Sequence, residues 1–139
     1  MALENASSPA EVRQPTLLYA EDNEINVLLV RQILELRPAW RLEVARSGAE
    51  AVKMTAQIKP DLLLLDMHLG DMSGFDLMDL LDQVDAARDA VKVALSADAM
   101  PHHIAQAKSR GFSAYLTKPL YVIGLLTCLD GYLSTDGPA

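Results

Sequence analysis

Residues 61–77 read DLLLLDMHLGDMSGFDL, and the four leucines near the start of this stretch decide the fold. Leu62 to Leu65 show no polar alternation, which is the pattern of a strand covered on both faces. A leucine run suits a helix equally well by composition, but Pro60 before it and Gly70 after it leave too little length for one. A strand buried on both faces belongs in the middle of a parallel sheet, because crossover helices are what cover such a sheet above and below.

Four further apolar runs lie on either side of it: Thr16 to Ala20, Leu42 to Ala45, Val91 to Leu95 and Ala114 to Leu116. Segments of helical period separate them, so strands and helices alternate through the chain. The first helix is expected from about Glu24 to Leu36, stopping before Pro38, with Ile25, Leu29, Ile33 and Leu36 facing inward. Ser47 and Glu50 form an S-x-x-E capping box for the second, which carries Ala51, Met54, Thr55 and Ile58 on one face and ends before Pro60. Leu77, Leu80, Leu81 and Val84 mark the third. Pro101 opens the fourth and Gly111 ends it, and Val122, Leu125, Leu126 and Leu129 line the fifth. Right-handed crossovers then predict an α/β, doubly wound, five-stranded parallel sheet of flavodoxin-like order 2-1-3-4-5.

The length of 139 residues suits one domain, expected over 15–133, with an N-terminal arm at 1–14 and a short tail at 134–139. The formal charge of −7 argues against nucleic acid as a partner, since a phosphate backbone repels such a surface. No apolar stretch approaches the roughly 18 residues of a membrane span, and the polar start of the chain is not a signal peptide, so a cytoplasmic protein is expected. The single cysteine, Cys128, sits in an apolar helical pattern and excludes both an internal disulfide and a multi-cysteine metal site.

In a sheet of this kind, ligands bind beyond the carboxyl ends of the strands. Glu21 and Asp22 follow the first strand, Asp66 ends the third, Ser96 ends the fourth, and Lys118-Pro119 follows the fifth. Three clustered carboxylates repel one another unless one is protonated or a hard cation sits among them. Oxygen ligands and a phosphate-bearing substrate favour Mg²⁺. Asp66 on the central strand is then the nucleophile, with Lys118 and Ser96 as donors to phosphoryl oxygens and backbone N–H groups near Ala97 completing the cradle. Taken singly, each residue has a plainer reading: Asp22 as a helix cap, Lys118-Pro119 as a solvated turn. Their joint placement at four strand ends is what points to phosphoryl chemistry.

These residues resemble the receiver domains of two-component response regulators, over nearly all of residues 15–133. The stretch LLYAEDNEINVLLV (17–30) looks like the family's first strand, acid pair and first helix, in the form found in receivers of hybrid histidine kinases. DLLLLDMHLGDMSGFDL looks like its phosphoacceptor strand and loop, with Gly74 where members usually carry glycine. VALSADAM (93–100) and GFSAYLTKPL (111–120) look like its hydroxyl-bearing and lysine-proline segments. The resemblance implies that Glu21, Asp22, Asp66 and the backbone carbonyl of His68 bind Mg²⁺, and that Asp66 accepts a phosphoryl group from a histidine kinase or a histidine phosphotransfer protein. It further implies that Ser96 and Lys118 contact the phosphoryl group, and that Ser96 and Tyr115 form the switch. Gly70 stands where many relatives have proline, which leaves the loop after Asp66 less rigid. His68 and Asp98 occupy positions that tune hydrolysis of the acyl phosphate in this family.

Tyr121 and Ile123 fall outside the buried stripe of the fifth helix and are expected to face solvent. A patch there would suit a partner, or a homodimer formed through the fourth helix, fifth strand and fifth helix. The chain is therefore expected to be a single-domain response regulator that switches partners, with no turnover of an external substrate. The alternative is a receiver-like adaptor that works without phosphorylation. A Mg²⁺-dependent hydrolase is disfavoured, because Asp66-Met67-His68 offers no second acid two residues on. FMN binding is disfavoured as well, for want of a serine- or threonine-rich phosphate loop after the first strand. A zinc role for His68 lacks a second soft ligand, and His102 and His103 are weak candidates for any site.

Overall fold

The computed structural model describes residues 14–133, so the expected N-terminal arm, apart from Gln14, and the expected tail lie outside the described residues. Five strands form one parallel sheet: β1 (Thr16–Ala20), β2 (Arg41–Ala45), β3 (Leu62–Asp66), β4 (Val91–Ser96) and β5 (Ala114–Thr117). Their order is β2-β1-β3-β4-β5, as expected. Every residue of β3 is buried, because it pairs with β1 on one side and β4 on the other and is covered on both faces.

Side chains alternate across a strand with a period of two, so each run of leucines feeds two cores. Leu17, Tyr19, Leu62, Leu64, Val93 and Leu95 pack against α1 (Glu24–Leu34) and α5 (Val122–Leu133). Leu18, Ala20, Leu63, Leu65 and Ala94 pack on the other face against α2 (Gly48–Ile58), α3 (Gly74–Leu81) and α4 (Pro101–Arg110). A short 3-10 turn at Asp85–Ala87 precedes β4.

The face that α1 buries differs from the expected one. Val27, Val30, Ile33 and Leu34 are buried, whereas Ile25, Leu29 and Leu36 are exposed and only Ile33 of the expected stripe points inward. The helix is apolar nearly all round, so two stripes compete, and the one at i, i+3, i+6 and i+7 from Val27 meets the sheet. The helix also ends two residues early. Leu36 and Arg37 donate to the carbonyls of Ile33 and Leu34, three residues back, in a tightened last turn. Leu80 and Val122 are likewise exposed rather than buried, at the solvent margins of their helices, and Val84 lies beyond the end of α3.

Helix starts follow the local chemistry. Asn23 caps α1, accepting from the N–H groups of Ile25 and Asn26. Ser47 caps α2 as expected, but the Glu50 carboxylate returns to the N–H of Arg46, not to that of Ser47, so the box is displaced by one residue. A complete capping box occurs instead at Ser73 and Asp76, ahead of α3. Pro101 opens α4, and Gly111, at φ 121°, closes it in a conformation that side chains rarely adopt.

Candidate active site at the carboxyl edge of the sheet

The strand ends bring Glu21, Asp22, Asp66 and Lys118 together. One carboxylate oxygen from each of Glu21, Asp22 and Asp66 lies within 4.8 Å of the others, and this is the only such acidic or metal-ligating cluster among the described residues. Glu21 and Asp66 are buried while Asp22 is exposed, so the cluster opens to solvent on one side. Lys118 Nζ stands 3.0 Å from Asp66 Oδ2 and 3.3 Å from Glu21 Oε1. Its backbone N–H donates to the Ser96 carbonyl at 2.8 Å, which holds the segment after β5 beside the end of β4, and the Lys118-Pro119 peptide is cis.

The two buried carboxylates have further hydrogen-bond donors besides Lys118. Tyr19, two residues before Glu21 on β1, donates its hydroxyl to Glu21 Oε1 at 2.9 Å, and the Asn23 N–H donates to Oε2 at 3.2 Å. Asp66 Oδ1 accepts from the backbone N–H of His68 at 3.0 Å. Burial, followed by the hydrogen-bonded and charged neighbour Asp66, holds the Glu21 carboxyl above the usual carboxylate range, with Tyr19 and Lys118 opposing. Burial works against the Lys118 charge, yet Asp66 and Glu21 outweigh it and keep this ammonium above its ordinary value. Burial, then the nearby Glu21, pushes the Tyr19 phenol far upward, so it stays a donor.

Ser96 is buried at the end of β4, and its Oγ accepts from the Asp98 N–H at 3.0 Å. Tyr115, half-buried on β5, donates its hydroxyl to the Asp98 carbonyl at 2.6 Å, so both switch candidates grip the same residue of the loop after β4. They line a cavity of about 230 Å³ together with Met67, His68, Phe75 and His103. His103 Nδ1 lies against the Asp98 carboxylate, a contact that sequence reading did not foresee. The His68 side chain is exposed. Tyr121 and Ile123 are both exposed, at the start of α5. Cys128 is half-buried, and burial raises its thiol pKa, which makes it a poor nucleophile at neutral pH.

Two glycines shape the loop after Asp66. A Cβ on Gly74 would stand 2.3 Å from the Met67 sulfur and 3.0 Å from the Met67 Cα, so the chain can return this close to the end of β3 only without a side chain. A Cβ on Gly70 would stand 3.1 Å from Asp22 Oδ2. Tyr19 escaped sequence reading because a tyrosine within an apolar run reads as core; its spacing of two from Glu21, which puts both on one strand face, was the available signal.

Residues 17–130 match the family model described as the response regulator receiver domain. The chain belongs to this family. The receiver is 30% identical over 118 residues to the polar-differentiation response regulator DivK of Brucella anthropi, covering 85% of this chain and 95% of that one. It is 32% identical over 125 residues to the peroxide stress-activated histidine kinase mak1 of Schizosaccharomyces pombe, covering 86% of this chain but only 8% of that much longer protein. The fold also superposes on the chemotaxis response regulator CheY4 of Vibrio cholerae, with a TM-score of 0.79 and 21% identity over 86% of this chain and 99% of that one. Receivers are phosphoacceptor switches of two-component signalling, not enzymes acting on an external substrate. Among the described residues no helix is long and apolar enough to cross a membrane.

Proposed function

We propose that this receiver, residues 15–133, takes a phosphoryl group onto Asp66 with Mg²⁺ bound at Glu21, Asp22, Asp66 and the His68 carbonyl. The observation that carries the reading is the placement of Lys118 Nζ 3.0 Å from Asp66 Oδ2 beside three carboxylates within 4.8 Å of one another. The donor set is all oxygen and is short of positive charge, which fits a hard divalent cation. When bound, such an ion neutralises charge on the transferring phosphoryl oxygens.

The chain's own residues do the rest. Asp66 presents a carboxylate oxygen to phosphorus; as the new O–P bond forms, the donor's P–N bond breaks and the electron pair stays with the imidazole nitrogen, which takes a proton from solvent. Lys118 exchanges part of its contact with Asp66 for a phosphoryl oxygen. Ser96 Oγ turns from the Asp98 N–H to another, releasing the loop that Tyr115 also holds. The charge-assisted contacts made only after phosphorylation bias two arrangements of this loop, which is how a local charge becomes a change of partner.

The donor class is a histidine kinase or a histidine phosphotransfer protein, in the cytoplasm. Exposed Tyr121 and Ile123 supply an apolar surface at the start of α5 for a downstream partner or for a homodimer through α4, β5 and α5. The test is titration with beryllofluoride, a tetrahedral phosphoryl mimic, and Mg²⁺, followed by amide chemical shifts. Shifts at Ser96, Asp98, Tyr115 and Lys118 that disappear in Asp66→Ala are expected. Unmoved spectra, together with partner capture indifferent to the mimic, would establish a phosphorylation-independent adaptor instead.

A further inference from the structure

The loop between Asp66 and α3 is fastened to α2 by two contacts that the phosphoryl chemistry does not use. Asp71, at the tip of the loop, accepts the backbone N–H of Gly48 on Oδ1 at 2.8 Å and that of Ala49 on Oδ2 at 3.0 Å. These are the first two residues of α2, whose N–H groups have no partner within their own helix. A carboxylate is well placed there, because the helix dipole presents its positive end, and the two bonds hold the Asp71 carboxyl below the usual range. The next residue, Met72, lies directly over Gly48: a Cβ at that position would stand 2.4 Å from the Met72 sulfur and 2.5 Å from its Cγ. Gly48 therefore permits the close approach, and Asp71 fixes it.

The remainder of the loop is short and closed on itself. The Leu69 N–H donates to the Met72 carbonyl at 3.1 Å, the Gly74 N–H donates to the Met67 carbonyl at 2.9 Å, and His68 bridges Ser73. What fastens Asp71 thus fastens the backbone of His68, whose N–H in turn orients Asp66 at 3.0 Å. Gly70 leaves the loop without the local stiffness of a proline, so docking on α2 adds to the rigidity that these internal bonds supply.

We infer that Asp71 is a positioning residue, which clamps the phosphoacceptor loop onto the N-terminus of α2 and thereby sets the affinity of the acidic cluster for a divalent cation. This rests on the proposed function only in taking Glu21, Asp22, Asp66 and the His68 carbonyl as the cation site. Removing the clamp leaves every ligand in place but frees the backbone that carries one of them and orients another.

The test is calorimetric titration of Mg²⁺ into the wild-type chain, Asp71→Ala, Asp71→Asn and, as a control remote from the loop, Asp130→Asn, which breaks the ion pair between Arg37 and Asp130. Asp71→Ala is expected to weaken binding about 10-fold, the lower end of what loss of an orienting partner does at a metal site. Asp71→Asn should fall between, since its amide oxygen can still accept one N–H, and it supplies the measurement if the alanine variant does not fold. Asp130→Asn should bind as wild type does. In acetyl phosphate labelling, the Mg²⁺ concentration for half-maximal rate should rise in Asp71→Ala while the rate at saturating Mg²⁺ returns to the wild-type value, a split that general destabilisation would not give. Hydrogen exchange at the Gly48 and Ala49 amides should quicken in the same variant.

Affinity in Asp71→Ala equal to wild type overturns the inference, as does an equal loss in Asp130→Asn. A loss that vanishes at high salt, where distant charges are screened, also overturns it, because a missing charge then explains everything. If the wild-type chain takes up no phosphoryl group while the calorimetric difference persists, the phosphoacceptor reading fails and the clamp stands. A wild-type chain that binds no Mg²⁺ overturns both.

Discussion

The hydroxyl of Tyr19 donates to Glu21 Oε1 at 2.9 Å, and the two side chains, on one face of the strand end, are buried together at the carboxyl edge of the sheet. A buried carboxylate tolerates its position only while its oxygens are satisfied. Tyr19→Phe removes one donor without changing the ring, and because Lys118 Nζ still reaches the same oxygen at 3.3 Å it should lower stability by about 0.5–1.5 kcal/mol, the net worth of one hydrogen bond. Urea unfolding of the two chains without divalent ions measures the difference; equal midpoints would mean that Lys118 or water satisfies the oxygen without the hydroxyl.

Glu21 itself is expected to be a liability in the metal-free chain. Burial and then Asp66 raise its pKa above the ordinary 4.5. An acid whose folded-state pKa lies above its unfolded value destabilises the fold once ionised. The metal-free protein should therefore regain stability as pH falls through the raised folded value toward 4.5. Glu21→Gln keeps an acceptor for Tyr19 and removes the charge, so it should stabilise the metal-free chain at neutral pH by about 0.5–2 kcal/mol. The advantage should shrink on acidification. Millimolar Mg²⁺ should reverse the order, by stabilising the wild-type chain and not the variant. Thermal melts across pH, with and without Mg²⁺, read all three.

Gly74→Ala would drive a methyl group into the Met67 sulfur and to 3.0 Å from the Met67 Cα. The sulfur can move and the backbone cannot do so freely, so the variant should lose about 1–3 kcal/mol, as overpacked sites do. Because Met67 adjoins Asp66, phosphorylation by acetyl phosphate should slow as well. Urea unfolding and labelling rates on one preparation check both.

The strands were legible because each is a short, mainly apolar run with proline, glycine or polar residues within a few positions of its ends, and β3 cannot be anything else between Pro60 and Gly70. The carboxyl-edge cluster was legible for a related reason: once Asp66, Ser96 and Lys118 stand at strand ends, the topology brings them together with little freedom left. The rotation of α1 was not, since Ile25, Leu28 and Leu29 are as apolar as Val27 and Val30 and only the sheet selects between them. Nor was the fastening of Asp71 to Gly48 and Ala49, because an aspartate in a turn carries no local mark of the helix it caps 23 residues away.

The most direct measurement is the intact mass of the wild-type chain, Asp66→Ala and Lys118→Ala after incubation with acetyl phosphate and Mg²⁺. Phosphoacceptor chemistry at Asp66 requires a base-labile gain of one phosphoryl group in the wild-type chain, none in Asp66→Ala, and slower gain in Lys118→Ala. The same gain in Asp66→Ala, or none in a folded wild-type chain shown to bind Mg²⁺, would contradict it.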